Sequence, residues 1–86
     1  MTPLAIRSTI LRVLEGVQPH ALPLDALLAE VNRLVRPAIT VAELKAHLSW
    51  LLDRMMIDFI ADPLDEKNAD ARRWLIREAG LAALKK

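Results

Sequence analysis

No cysteine occurs among the 86 residues, so no disulfide stiffens the fold. A cysteine-free chain is compatible with a cytoplasmic address, which is the default expectation. The opening Met1-Thr2-Pro3-Leu4 also lacks the basic-then-apolar layout of a secretion signal. No run approaches the roughly 18 to 20 apolar residues that span a bilayer, so no membrane association is expected. There are only two glycines and no glycine-rich phosphate loop. Neither sign of charge dominates: twelve Lys and Arg against eleven Asp and Glu give +1, so no global field favours nucleic acid or acidic membrane. What is abundant is apolar surface, 53% of the residues. Residues 1–86 make one small domain, because a second folded unit needs roughly 100 residues of its own. A chain this short buries only about 60 to 65% of its unfolded surface, so its core must come from helices and from any partner subunit.

Thr2-Pro3 reads as a helix start and Gly16 as the matching stop, giving a helix over residues 3–15. Ile6, Ile10, Val13, Leu14 and Val17 recur at helical spacing, and Leu4 and Leu11 widen the apolar arc beyond what a simple surface helix needs. Either the helix is buried on two sides or the extra width is a dimer seam. Residues 17–23, with two prolines and His20, form a connector with an extended Ala21-Leu22. The second helix, residues 24–35, carries a stripe of Leu24, Leu27, Leu28, Val31, Leu34 and Val35. Asp25 near its start and Arg33 and Arg36 near its end complement the helix dipole, and Pro37 prevents continuation.

The third helix, residues 41–54, has the firmest local signal. Thr40-Val41-Ala42-Glu43 is a capping box, and Ile39 and Leu44 occupy the positions of a hydrophobic staple. Leu44, Leu48, Leu51, Leu52 and Met55 are expected to face inward, leaving Lys45, Ala46, Ser49, Trp50 and Asp53 outward. Two amphipathic helices around a tight corner make a helix-turn-helix pattern. Residues 56–62 then read as a strand, Pro63 to Asp70 as a polar hairpin tip, 71–76 as the return strand and 77–84 as a short terminal helix. A competing reading runs one helix from Asp70 to Lys85, weakened by about 1 kcal/mol at Gly80.

This order of elements resembles the winged helix-turn-helix superfamily over nearly the whole chain. The residues that carry the likeness are Leu24-Asp25-Ala26-Leu27-Leu28, Thr40 to Met56 as recognition helix, and Leu75-Ile76-Arg77-Glu78-Ala79-Gly80 after the wing. The last is similar to the Leu-Thr-Glu-x-Gly stretch of many bacterial members, with Ile76-Arg77 in place of Leu-Thr. Met55 stands where members often have glycine. The fold implied is mainly α with a small β-hairpin: a three-helix core, a two-stranded wing and a short C-terminal helix.

The function implied is double-stranded DNA binding by a bacterial or phage transcriptional regulator; dimerisation through the first and last helices is expected from the wide apolar arc of the first. Carried over residue by residue, Lys45, Ala46, Ser49 and Trp50 face base edges, with Lys45 and Ser49 as the hydrogen-bond donors. Thr40 contacts a phosphate, and Arg54, Arg72 and Arg73 supply further cationic contacts. Solvated helix residues are an equally good account of Lys45 and Ser49, and capping duty already explains Thr40. Against DNA stands residues 55–70, where Asp58, Asp62, Asp65, Glu66 and Asp70 outweigh Lys67 to give −4 at the wing. Trp50 points the same way, because an exposed indole is typical of a protein-interface anchor. The alternatives are therefore a DNA-binding regulator and a winged-helix protein-interaction module, with Trp50 either anchoring a partner or packing under the wing or terminal helix.

No cofactor, metal site or enzymatic activity is expected, since no nucleophile with a base and no paired catalytic carboxylates are visible. Glu43 and His47 lie on one side of a helix but have no further ligands in sight, and read as a surface pair. His20 reads as solvated, the carboxylates at positions 62, 65, 66 and 70 lack the spacing of a calcium loop, and Met55-Met56 read as core filler.

Overall fold

The computed structural model describes residues 2–85. Its first helix, α1 (Pro3–Gly16), begins as the sequence requires: Thr2 Oγ1 accepts from the Ala5 N–H at 3.1 Å and Pro3 takes the first helical position. Ile6, Ile10, Leu11 and Leu14 are buried. Their wide arc is consumed inside the monomer, because α1 packs on three other helices and on a strand. The width is core, and only Leu4 of the arc is left well exposed.

A two-residue strand β1 (Leu22–Pro23) leads into α2 (Leu24–Leu34). Leu34, expected on the buried stripe, is instead exposed. The helix ends there and Val35 adopts extended geometry, so it is the Val35 side chain that enters the core. Arg36 closes this end by donating to the Asn32 and Val35 carbonyls. The corner to the next helix is held by Asn32, whose Oδ1 accepts from the Ile39 N–H at 2.9 Å while its Nδ2 donates to the Ile39 carbonyl at 3.1 Å.

Helix α3 (Val41–Asp53) has both halves of the capping box, and Ile39 and Leu44 are buried as the staple requires. Leu44, Leu48 and Leu51 form its inward face. Met55, expected inward, is 63% exposed with φ at 60°. The helix terminates there in a Schellman motif: the Met55 N–H donates to the Leu52 carbonyl and the Met56 N–H to that of Leu51. The motif needs a left-handed residue at position 55, and the side chain is thereby turned to solvent while Met56 packs on the core. A methionine there costs about 1 kcal/mol relative to glycine. Met55→Gly is therefore expected to raise stability by about 1 kcal/mol, read as a higher urea midpoint with an unchanged slope.

Strands β2 (Ile57–Ile60) and β3 (Arg73–Ile76) form an antiparallel hairpin with Ile57 opposite Ile76 and Phe59 opposite Trp74. Both are shorter than the 56–62 and 71–76 expected. The Asp62 carboxylate accepts from the Leu64 N–H and turns the chain, and a 3-10 turn (Ala69–Ala71), capped by Asn68, occupies the start of the return strand. The ribbon is not two-stranded: β1 pairs with the other edge of β3, giving the order β1-β3-β2. After Ile76 the chain enters α4 (Glu78–Leu84), which rules out one continuous helix from Asp70 to Lys85. Among the described residues the result is four helices around one core with a small antiparallel sheet. None of the described helices is long and apolar enough to cross a membrane.

Candidate interaction face and adjoining cleft

The outer side of α3 consists of short or acidic side chains: Ala42, Glu43, Ala46, Ser49 and Asp53 are all exposed. Thr40, at its start, is engaged in the helix cap. Its hydroxyl accepts from the Glu43 N–H and its own N–H donates to Glu43 Oε1. Lys45 is outward but bound, its ammonium ion-paired with Asp70 of the hairpin.

The cations expected to converge on nucleic acid are dispersed instead. Alternation along the extended chain puts Arg72 on the side of Trp74 and Arg73 on the opposite one. Arg72 is half-buried, with its guanidinium 4.0 Å from the Phe59 ring centroid, and Phe59 in turn lies against Trp74 with ring centroids 5.5 Å apart. Arg73 is exposed beside a shallow hollow formed with Ile60 and Leu64. Arg54 lies at the far end of α3, donating to the Trp50 carbonyl at 3.2 Å.

Trp50 is half-buried and does not project freely. The Arg54 guanidinium is 3.6 Å from its ring centroid and that of Arg7, from α1, is 3.8 Å away. Each contact is a cation–π interaction of the kind that contributes about 0.5 to 1 kcal/mol at an exposed site. With Leu4, Leu11, Met56 and Leu84 the indole lines a groove between α1, α3 and α4. Of the two sequence alternatives for Trp50, packing against the terminal helix is realised in part.

His47 pairs across the domain, not with Glu43 along the helix: Arg7 Nε donates to its Nδ1 at 3.3 Å. Burial, and secondly the Arg7 charge, hold the imidazole below its ordinary pKa, with Glu43 opposing them. A histidine depressed in the folded state contributes stability that is complete above its unfolded value, about 6.5, and is lost as the pH falls through the folded one. Stability is expected to decline below about pH 6.5, and a His47→Gln variant to lose that part of the pH dependence in urea melts at pH 5.5 and 7.5. Among the described residues no three metal-ligating side chains cluster.

Between α3, the start of α2 and the hairpin lies a cleft of about 120 Å³ lined by Leu24, Lys45, Leu48, Ser49, Ala69, Arg72 and Trp74. Two of the lining residues carry buried donors without an acceptor, Arg72 Nε and Trp74 Nε1. Sequence reasoning placed Lys45, Ser49 and Arg72 on one functional surface, and the fold brings these three together; it separates them from Arg54 and Arg73. It missed Arg7, Asp70 and Trp74 as members of these constellations. Nothing in their local spacing marks them, because Arg7 meets Trp50, Asp70 meets Lys45, and Trp74 meets the Lys45 and Ser49 side of the cleft only across more than twenty positions of chain. Set against known protein families, curated proteins and solved structures, the chain matches none.

Proposed function

We propose that this is a winged-helix domain whose third helix docks protein instead of reading duplex DNA. The observation that carries the reading is the ion pair between Lys45 and Asp70. Lys45 is the only Lys or Arg within α3, and the hairpin that would have to approach a phosphate backbone neutralises it. Affinity for DNA rests on cations that release counterions, and here the nearby ones are paired, stacked or scattered. An acidic hairpin adds repulsion. What remains on the α3 face is a shallow strip of Ala42, Ala46 and Ser49 bordered by the Trp50 indole held between two guanidiniums. Small side chains beside a preordered aromatic and arginines suit a protein surface, where Trp and Arg are the usual energetic anchors.

Fluorescence polarisation with labelled duplex DNA over a salt series tests this directly. Binding weaker than about 10⁻⁴ M at physiological salt is expected. A dissociation constant of about 10⁻⁶ M or tighter, with a steep salt slope, would return the domain to the DNA-binding class. On the positive side, Trp50→Ala and Ala46→Glu are each expected to abolish capture of a stoichiometric partner, while Leu64→Ala at the exposed hairpin tip leaves it intact. Partner capture unchanged by the two α3 variants would refute the docking face.

A further inference from the structure

We infer that the groove between α1, α3 and α4 receives the hairpin tip of a second copy of this chain, with Leu64 as the inserted side chain. The inference does not rest on what docks on the outer face of α3. At the tip, Leu64 is 95% exposed. One exposed leucine is ordinary on a protein surface, but this one is presented by an ordered turn. The Asp62 carboxylate accepts from the Leu64 N–H at 2.9 Å, the Asp62 carbonyl accepts from the Asp65 N–H at 3.0 Å, and Pro63 fixes the backbone between them. The turn thus carries an aliphatic side chain outward among acidic neighbours, with Asp62, Asp65 and Glu66 set against the single cation Lys67. Among the described residues none of these three carboxylates is in an ion pair.

The groove has the complementary character. It measures about 140 Å³, and Leu4, Leu11, Met56 and Leu84 make its lining largely apolar. An apolar cavity of about 150 Å³ holds a benzene ring, so the groove admits one leucine side chain and little more. Its charge is opposite to that of the tip. Arg7 lines it and Arg54 shares the Trp50 ring, while among the described residues no carboxylate lines it and neither guanidinium is ion-paired. Arg7 donates through Nε to His47 and Arg54 through one nitrogen to the Trp50 carbonyl, which leaves each guanidinium further donors for a carboxylate. A purely polar segment would not use the apolar lining, and an uncharged apolar one would leave both guanidiniums unanswered. The tip supplies an apolar anchor and carboxylates within two positions of it. The tip of the same chain does not reach this groove, because Met56 precedes β2 and Leu64 lies beyond the other end of that strand. A contact built on one anchor and two cations is far smaller than a stable interface, so a dissociation constant on the order of 0.5 mM is expected.

Two variants separate the halves of the contact without touching the core. Leu64→Ala removes the anchor from the tip. Leu4→Glu places a carboxylate on the groove, at an exposed site in the first turn of α1 where an acidic residue suits the helix dipole. In sedimentation velocity at about 1 mM the parent chain is expected to self-associate and each variant to stay monomeric. Mixed, the two restore one contact, because Leu64→Ala keeps the groove and Leu4→Glu keeps the tip. With Leu64→Ala labelled with ¹⁵N, its Trp50 indole N–H is expected to shift saturably as unlabelled Leu4→Glu is added, at least about threefold more weakly in 0.5 M than in 0.05 M NaCl. Unlabelled chain carrying both substitutions is expected to leave the indole unmoved. A parent chain that stays monomeric at about 1 mM would overturn the inference, as would an indole unmoved by about 2 mM Leu4→Glu, four times the expected constant. Equal shifts with the doubly substituted chain, or binding indifferent to salt, would do the same. Duplex DNA binding would overturn the docking face and leave this contact standing, whereas a silent indole would do the reverse.

Discussion

Gly80→Ala is expected to destabilise the domain by about 3 kcal/mol, although alanine is the better helix former by about 1 kcal/mol. Gly80 sits in α4 and is buried. A Cβ built there would lie inside the contact distance of the Met56 carbonyl oxygen, 2.8 Å from Ile76 Cγ1 and 3.1 Å from Leu11 Cδ2. The Ile76 and Leu11 side chains can adjust. The Met56 oxygen cannot, since it is backbone and already accepts from the Arg77 N–H at 2.9 Å across the start of β2 and the end of β3. Relief requires α4 to move off the sheet and off α1, exposing apolar contacts that the domain cannot spare at its size. For a chain of this length the loss corresponds to a fall in Tm on the order of 15 °C, measurable by circular dichroism. An unchanged or higher Tm would mean that helix propensity governs position 80 and that α4 is not packed as described. The sequence read this glycine as a weak point in a helix; the fold makes it the condition for the helix to dock.

Asn32→Ala is expected to cost about 2 kcal/mol. Its amide makes two hydrogen bonds to the backbone of a single residue, Ile39, seven positions on. Truncation leaves that N–H and carbonyl without partners in a part-buried corner, at about 1 kcal/mol or more each. The corner is also what sets the angle between α2 and α3, so the loss reaches the candidate face. Asn32→Asp is the informative companion: it retains the acceptor for the Ile39 N–H, loses the donor to the carbonyl, and is expected to recover about half of the stability lost in Asn32→Ala. Urea unfolding of both variants separates the two bonds, and equal stability of Asn32→Ala and the parent would show that the corner is held by Pro37 and the flanking core residues alone.

Asn32 was not legible in the sequence because it reads as an ordinary polar residue on the wet side of α2, and its partner depends on how the chain folds back at residue 39. Met55 was misassigned for a related reason. Its spacing continues the inward stripe of α3, but the stripe ends when the helix does, and the Schellman turn reverses the direction of the side chain. Leu34 fails at the end of α2 in the same way, while Val35, the last residue of that stripe, reaches the core from extended backbone. The third strand was glimpsed as an extended Ala21-Leu22, yet two residues have no strand identity until β3 offers them an edge. Arg72 and Arg73 were grouped by charge, whereas strand alternation leaves Arg72 with Lys45 on one cleft and turns Arg73 to the opposite side.

What the sequence determined by itself is local and periodic: the Thr2 and Thr40 caps, the staple of Ile39 and Leu44, the apolar stripes of three helices, and the change of texture after Arg54. These are settled by interactions within a few residues, where backbone geometry leaves few choices. Tertiary structure alone decided which cations are paired, what flanks Trp50 and why position 80 is glycine. Those outcomes depend on contacts between residues as far apart as Arg7 and Trp50 or Lys45 and Asp70, and charge and burial at a site are properties of the assembled neighbours, not of the residue.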